Sequence, residues 1–226
     1  MTSERQSRHN DVERLARLDT CVVSDALDAL GLPPAAVGIS PLWRCGRVAG
    51  RAVTISLAPV GEGDPPPARH LGSAAVEAAS AGDVIVVDNG GRTEAGGWGG
   101  LLALAAHHAG VSAVIVDGAC RDVDEIEALG LPVFARAATA RTARRRFAEV
   151  ATNVPVSVGG VPVRPGDLVL ADGSGVVIVP EDRAGEVLRH AGRLAVEEAE
   201  MADRIRANVP AGEVMGRRYE TMVRPR

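Results

Sequence analysis

Two short runs in one stretch carry the residue types that could do chemistry. The stretch is GDVIVVDNGGRTEAGGWGGLLALAAHHAGVSAVIVDGACRDVDEI, Gly82 to Ile126. In the first run, Gly99-Gly100 directly precedes Leu101-Leu102 at an expected helix start. The leading N–H groups of a helix lack intrahelical partners and carry the positive end of its dipole. Glycine also lets a ligand come close to the backbone. The run therefore reads as a cradle for a carboxylate or a phosphate. The second run, Arg121-Asp122, sets a fixed cation beside a hard oxygen ligand. One carboxylate with several waters is a common way to hold Mg²⁺. On spacing alone each run also has a plainer reading, a flexible connection for the glycines and a helix-capping Asp beside a surface Arg.

Other candidates carry less. GxGxxG and GxxxxGK[ST] are absent, which argues against dinucleotide and P-loop sites. Ser24-Asp25 lacks a GxSxG setting or a placed histidine, so a serine hydrolase is not expected. His107-His108 falls on an Ala-rich helix, where burial or a polar face is expected rather than metal ligation. Arg141, Arg144, Arg145 and Arg146 form a basic run, expected as a solvated face, with RNA or an acidic partner as the alternative. Trp98, inside the glycine-rich segment, is expected as a lid or specificity wall.

The elements that must position these residues alternate. Asp11 to Leu30 reads as two short helices, with Thr20 or Ser24 capping the second. Ala52 to Leu57 reads as a strand, and Ala68 to Ala79 as a helix. Asp83 to Asp88 is a short, continuously apolar strand, followed by a glycine-rich loop from Asn89 to Gly100. Leu101 to Ala109 (helix), Ala113 to Asp117 (strand), Asp122 to Leu129 (helix) and Pro132 to Ala135 (strand) continue the pattern. Such alternation implies a mainly parallel layer, whose ligand sites collect beyond the carboxyl ends of strands. Both chemical runs lie at such ends. Val154 to Pro180 reads as two hairpins, and Glu181 to Asn208 as a long helix with Ala184, Val187, Leu188, Ala191, Leu194, Ala195, Ala202 and Ile205 on one face. One domain over residues 1–226 is expected, with a flexible tail at 1–10 and a C-terminal helix and tail at 181–226.

Composition narrows the chemistry. All 25 basic residues are arginine, which excludes Schiff-base lysines and the P-loop lysine. A net charge of −4 and 2% aromatic residues argue against nucleic acid as the main partner. Cys21, Cys45 and Cys120 lack CxxC spacing and read as reduced thiols. No apolar run reaches the roughly 20 residues of a membrane span. The polar N-terminus has no apolar leader core, so a cytoplasmic location is expected.

The order GDVIVVD, GGWGGLLALAA, GVSAVIVDGACRDVDE and LPVFAR resembles the superfamily of class II 4-hydroxy-4-methyl-2-oxoglutarate aldolases. That superfamily also holds the regulators of ribonuclease E activity. VSDALDALG (Val23 to Gly31) and PGDLVLADGSGVVIVP (Pro165 to Pro180) match its other recurring segments. The resemblance implies an α/β fold, an αββα layered sandwich related to swivelling-domain proteins, assembled as trimers or hexamers. It implies that Gly99, Gly100, Leu101 and Leu102 bind a substrate carboxylate through backbone N–H groups. Arg121 would contact the pyruvyl oxygens, and Asp122 would ligate Mg²⁺ or Mn²⁺. Glu197 or Glu198, on the last helix, would complete a neighbouring subunit's site. The implied activity is metal-dependent carbon–carbon cleavage of a 2-oxo acid through a pyruvate enolate, on substrates such as 4-hydroxy-4-methyl-2-oxoglutarate or oxaloacetate. The alternatives are a non-enzymatic regulator that binds a ribonuclease and a lyase for an unfamiliar substrate. One departure stands out: Gly100 occupies a position where some of the aldolases have an Asp that helps hold water on the metal.

Overall fold

Val84-Ile85-Val86-Val87 and Ala113-Val114-Ile115-Val116 are apolar at every position, as strands covered on both faces must be. They open the two central strands of a layered structure. The computed structural model describes residues 10–63, 65 and 69–216. Most of the expected N-terminal tail and residues 217–226 lie outside the described residues. In chain order the elements are α1 (Thr20–Ala29), β1 (Ser40–Pro41), β2 (Val48–Pro59), α2 (Ser73–Ala78), β3 (Val84–Trp98) and α3 (Gly100–His108). Next come β4 (Ala113–Cys120), α4 (Val123–Leu129), β5 (Val133–Ala138), β6 (Phe147–Thr152), β7 (Val156–Val158) and β8 (Val161–Val163). The chain ends through β9 (Leu168–Asp172), β10 (Gly175–Val179), α5 (Ala184–Arg206) and the short α6 (Ala211–Val214).

The strand order is β1-β5-β4-β3-β2-β9-β10, with β6 also paired to β2. Strands β2 to β5 pair in parallel, and β9 and β10 continue antiparallel from the first residues of β2. Alternation along the strands then builds three apolar layers. Ile85, Val87, Val114 and Val116 face α2, α3 and α4. Val84, Val86, Ala113 and Ile115 meet Val169, Ala171, Val176 and Ile178 between the two sheet regions. Leu168, Leu170, Val177 and Val179 face α1 and α5. This is the α/β/β/α sandwich that the resemblance implied.

Several boundaries differ from the sequence reading, each for a physical reason. The segment expected as a loop at 89–100 is the irregular second half of β3. It keeps pairing with β4 at Arg92↔Gly118, Gly96↔Ala119 and Trp98↔Cys120, with a register shift at each step. Gly118 permits this, since a Cβ there would lie 2.7 Å from the Arg92 carbonyl oxygen. Helix α1 is capped by Asp19, whose carboxylate accepts the Val22 N–H at 2.9 Å, and not by Thr20 or Ser24. The Thr20 hydroxyl is committed elsewhere, donating to Asp172 at 2.6 Å. Helix α2 begins only at Ser73, and β6 is a strand that periodicity does not announce.

The last helix begins as a 3₁₀ turn at Glu181–Arg183, and α5 buries Ala184 through Leu194. Ile205, expected on the same face, is exposed. The reason is length. Five-residue strands extend roughly 17 Å, whereas 23 helical residues extend roughly 35 Å. The helix outruns the sheet it covers. No described helix is long and apolar enough to cross a membrane.

Where α5 passes α1, like charges gather. Burial, then Asp19 and Asp25, raise the Glu198 carboxyl above the ordinary glutamate range. Burial, then Asp28 and Asp19, do the same to Asp25. The folded chain therefore holds protons that the unfolded chain has already released, so these groups lower stability as pH rises through the window above the ordinary carboxyl values. Glu198→Gln is expected to flatten that decline and to leave the protein slightly more stable at neutral pH. Urea midpoints measured from about pH 4 to pH 7 check it.

Candidate functional site

The carboxyl ends of β3 and β4 deliver the two chemical runs side by side. Trp98 and Cys120 are register partners, and the Arg121 N–H donates to the Trp98 carbonyl at 3.0 Å. Beyond that bond both chains turn into helices, α3 from Gly100 and α4 from Val123. The first bond of the α3 ladder runs from Ala103 N–H to the Gly99 carbonyl at 3.0 Å. The amides of Leu101 and Leu102 thus stand ahead of the ladder at the positive end of the helix.

Asp122 holds the junction. Its backbone is left-handed, with φ 58, at the N-cap of α4, but its side chain does not cap that helix. One carboxylate oxygen accepts the Gly100 N–H at 2.9 Å, and the other accepts Arg121 Nε–H at 3.1 Å. The plain capping reading is thereby corrected: Asp122 serves the start of α3, where the cleft lies, with Arg121 drawn onto it. The flexible-connection reading of the glycines also fails. A Cβ at Gly99 would lie 2.9 Å from Arg121 Cγ and 3.0 Å from Asp122 Oδ2. At Gly100 it would lie 2.6 Å from Glu125 Oε2. Both glycines are spaces filled by the Arg121-Asp122 side.

A cleft of about 210 Å³ opens over this junction. It is lined by Gly99 to Leu102 with Arg121 and Asp122, and by His70, Thr142 and Arg144 from distant segments. All six residues picked out by sequence therefore converge. His70, Thr142, Arg144 and the nearby Glu125 were missed, and only the basic run 141–146 gave any signal for one of them.

Other expectations move away from the cleft. Trp98 is neither lid nor wall: it is 1% exposed, in the apolar layer beneath α3. His107 and His108 are exposed in the last turn of α3, as expected for a polar face. The Cys120 thiol lies in the buried apolar layer and is pushed up to about 12 by burial and then by the Asp122 charge, which disfavours the thiolate.

Among the described residues no three of His, Cys, Asp and Glu cluster as a ready-made metal cage. Asp122 and Glu125 still converge: the position of a Cβ on Gly100 is 3.4 Å from Asp122 Oδ2 and 2.6 Å from Glu125 Oε2. Two carboxylates beside an open cleft fit a hard divalent cation that keeps most of its waters.

Comparison with known proteins gives the family and agrees with the fold. The RraA-like family model, described as Aldolase/RraA, matches residues 20–178. A protein of Halalkalibacterium halodurans, provisionally named a 4-hydroxy-4-methyl-2-oxoglutarate aldolase, is 34% identical over 206 residues, covering 91% of this chain and 93% of that protein. Protein DlpA of Legionella pneumophila is 29% identical over 94% of this chain, which spans only 34% of DlpA. An uncharacterised Pseudomonas syringae protein superposes with a TM-score of 0.82 at 29% identity, covering 92% of this chain and 98% of that one. RraAS2 of Streptomyces coelicolor, described as an unusual member of the RNase ES inhibitor RraA family, superposes at 0.77 with 29% identity, covering 86% and 96%.

The glycine packing makes a direct test. Gly100→Val would drive branched carbon into Asp122 and Glu125, and pyruvate or oxalate affinity in the presence of Mg²⁺ is expected to fall roughly tenfold or more. Gly100→Asp adds an unbranched Cβ, for which the flexible end of Glu125 must move and Asp122 Cβ, 3.2 Å away, must give slightly, and it should retain more of that affinity. Calorimetry on wild type and both variants decides it, and equal affinities for all three would remove the cradle.

Proposed function

The chain belongs to the Aldolase/RraA family, and from that premise we propose that it is a divalent-metal-dependent carbon–carbon lyase acting on a 2-oxo acid. One observation carries the reading: the Arg121 guanidinium, the Asp122 carboxylate and the leading amides of α3 meet at a single cleft.

The amides of Leu101 and Leu102 would receive the carboxylate of the 2-oxo acid. Arg121 would lie beside the keto oxygen, where negative charge develops when the bond β to the ketone breaks. The electron pair of that bond passes into a pyruvate enolate, and the fixed guanidinium stabilises it without reorganisation. Asp122, with Glu125 next to it, would hold Mg²⁺ or Mn²⁺. When bound, such an ion supplies Lewis-acid polarisation of the keto and carboxylate oxygens.

Retro-aldol cleavage and oxaloacetate decarboxylation share this enolate. They differ in proton demand. Retro-aldol cleavage must also remove a hydroxyl proton, and position 100 carries no side chain to relay it. Decarboxylation has no such step, so oxaloacetate is the less demanding substrate for this site.

A surface-acting regulator, suggested by the likeness to RraAS2, is the competing reading. It finds less support in the basic run. Arg146 folds back on its own turn to donate to the Thr142 and Arg144 carbonyls at 3.1 and 3.4 Å, Arg144 lines the cleft, and Arg141 and Arg145 are exposed as on a solvated face.

Pyruvate release from oxaloacetate and from a 4-hydroxy-2-oxo acid, with and without Mg²⁺ or Mn²⁺, tests the proposal. Asp122→Ala should abolish the metal-dependent rate. Arg121→Lys should cut kcat/KM by about a hundredfold, since an ammonium cannot reproduce the planar fork. Near-normal rates for both variants would end the assignment.

We also propose a trimer or hexamer as the working form. Leu101 and Leu104 are exposed on α3 beside the cleft, with Leu101 82% exposed, an apolar edge that suits a second copy. Light scattering at micromolar concentration should give an assembled mass, and a monomeric mass would contradict it.

A further inference from the structure

A carboxylate stands on the core-facing side of β6. Phe147 is buried in the apolar layer beneath α2, α3 and α4, and Glu149, two residues on, takes the same face of the strand. A bulge sets that face. Ala151 pairs with Ser56 and Glu149 with Leu57, so Val150 has no partner on β2 and is exposed. Leu57 belongs to the same apolar layer. A charged group at the edge of such a layer is costly unless its oxygens are bonded. Both are. One accepts the Thr152 hydroxyl on the same strand, and the other accepts the Gly72 N–H at 2.6 Å, 77 residues away in the chain.

Gly72 adjoins the cleft on two sides. Its backbone is left-handed, φ +82, and a Cβ there would lie 3.1 Å from both Leu102 Cδ1 and Trp98 Cζ3. It therefore lies directly against Leu102, in the first turn of α3. The two residues before it, His70 and Leu71, line the cleft themselves. The turn closes on itself where the His70 carbonyl accepts the Ser73 hydroxyl at 2.6 Å. Among the described residues, the bond from Gly72 to Glu149 is the one hydrogen bond that ties 70–72 to the sheet.

We infer that Glu149 is a positioning residue: its carboxylate seats Gly72 against Leu102 and so fixes the start of α3 and the His70-Leu71 edge of the cleft. The consequence for a ligand rests on the proposed binding of a carboxylate at the Leu101 and Leu102 amides. An ionised carboxylate accepts a backbone N–H in a stronger bond than a neutral oxygen does. The pairing of β6 with β2 gives that acceptor a rigid base. Without it the Gly72 N–H would be left unpaired beside buried apolar groups, and the turn would have to shift to reach water. Leu102 would then lose the backbone that packs against it.

The experiment compares wild type with Glu149→Gln, which keeps an acceptor oxygen, and Glu149→Leu, which keeps bulk and has none. Val187→Ala, in the apolar layer between β9, β10 and α5, is the variant destabilised at a distance, and urea midpoints give the stability of all four. Hydrogen exchange without ligand should quicken several-fold in peptides covering 70–78 and 99–104 of Glu149→Leu, far less in Glu149→Gln, and not selectively there in Val187→Ala. Calorimetry with oxalate and Mg²⁺ should show affinity about tenfold weaker in Glu149→Leu, largely restored in Glu149→Gln and unchanged in Val187→Ala. Exchange in Glu149→Leu that is unchanged, or raised evenly along the chain, overturns the inference. So does wild-type oxalate affinity in Glu149→Leu, or a Glu149→Gln that fails as Glu149→Leu does. The selective exchange pattern with no oxalate binding by any of the four proteins supports the positioning role and overturns the carboxylate cradle, and the lyase reading with it.

Discussion

The carboxylate of Asp122 joins two helix starts that would otherwise be independent. It accepts the first amide of α3 and draws Arg121 onto the same spot. The backbone needed to aim it there is left-handed, which costs a residue with a Cβ about 1–2 kcal/mol. Hydrogen bonds to a charged group are worth about 1.5–3 kcal/mol each. Two of them more than offset the strain, and Asp is among the residues that tolerate this conformation best. Gly99 and Gly100 follow from the same constraint, since any Cβ at either position would occupy space that Arg121, Asp122 and Glu125 fill.

That junction is only as steady as the strands that present it. β4 is buried at every position, and the first four residues of β3 are buried with it. Layers on both sides leave them no room to shift. The irregular half of β3 then departs from the ladder in steps and carries Gly96 against Arg121, where a Cβ would lie 3.0 Å from Cγ. Regular pairing fixes the direction of the strand, and the bulges aim its end.

The cleft sets Arg121, Arg144 and the positive end of α3 together inside a chain of net charge −4. Asp122 partly balances Arg121 and accepts the Gly100 amide, while the Leu101 and Leu102 amides stand ahead of the helix ladder. Charge focused in a concavity attracts a small anion regardless of the sign of the whole surface. The excess of acidic residues lies elsewhere, as between α1 and α5, where Asp19, Asp25 and Glu198 crowd one another.

The amino-acid sequence by itself determined the layered alternation of strands and helices and the placement of both chemical runs at strand ends, and it singled out Gly99 to Leu102, Arg121 and Asp122, which line one cleft. Those features are local: apolar period, helix starts and the step from a buried run into a polar one all read within a dozen residues. Only the tertiary structure decided the rest. Trp98 is core because successive register shifts in β3 set which face it takes, and one residue of slip reverses that face. Glu125 reaches Gly100 because two helices from adjacent strands start side by side. His70 and Arg144 enter the cleft through long chain reversals, one of them closed by the bond from Gly96 to Arg141. The exposed end of α5 reflects the length of the strands beneath it, a relation between elements that no single segment encodes. Periodicity records the side of an element that is buried, and which distant segment comes to face it is settled only when the layers close.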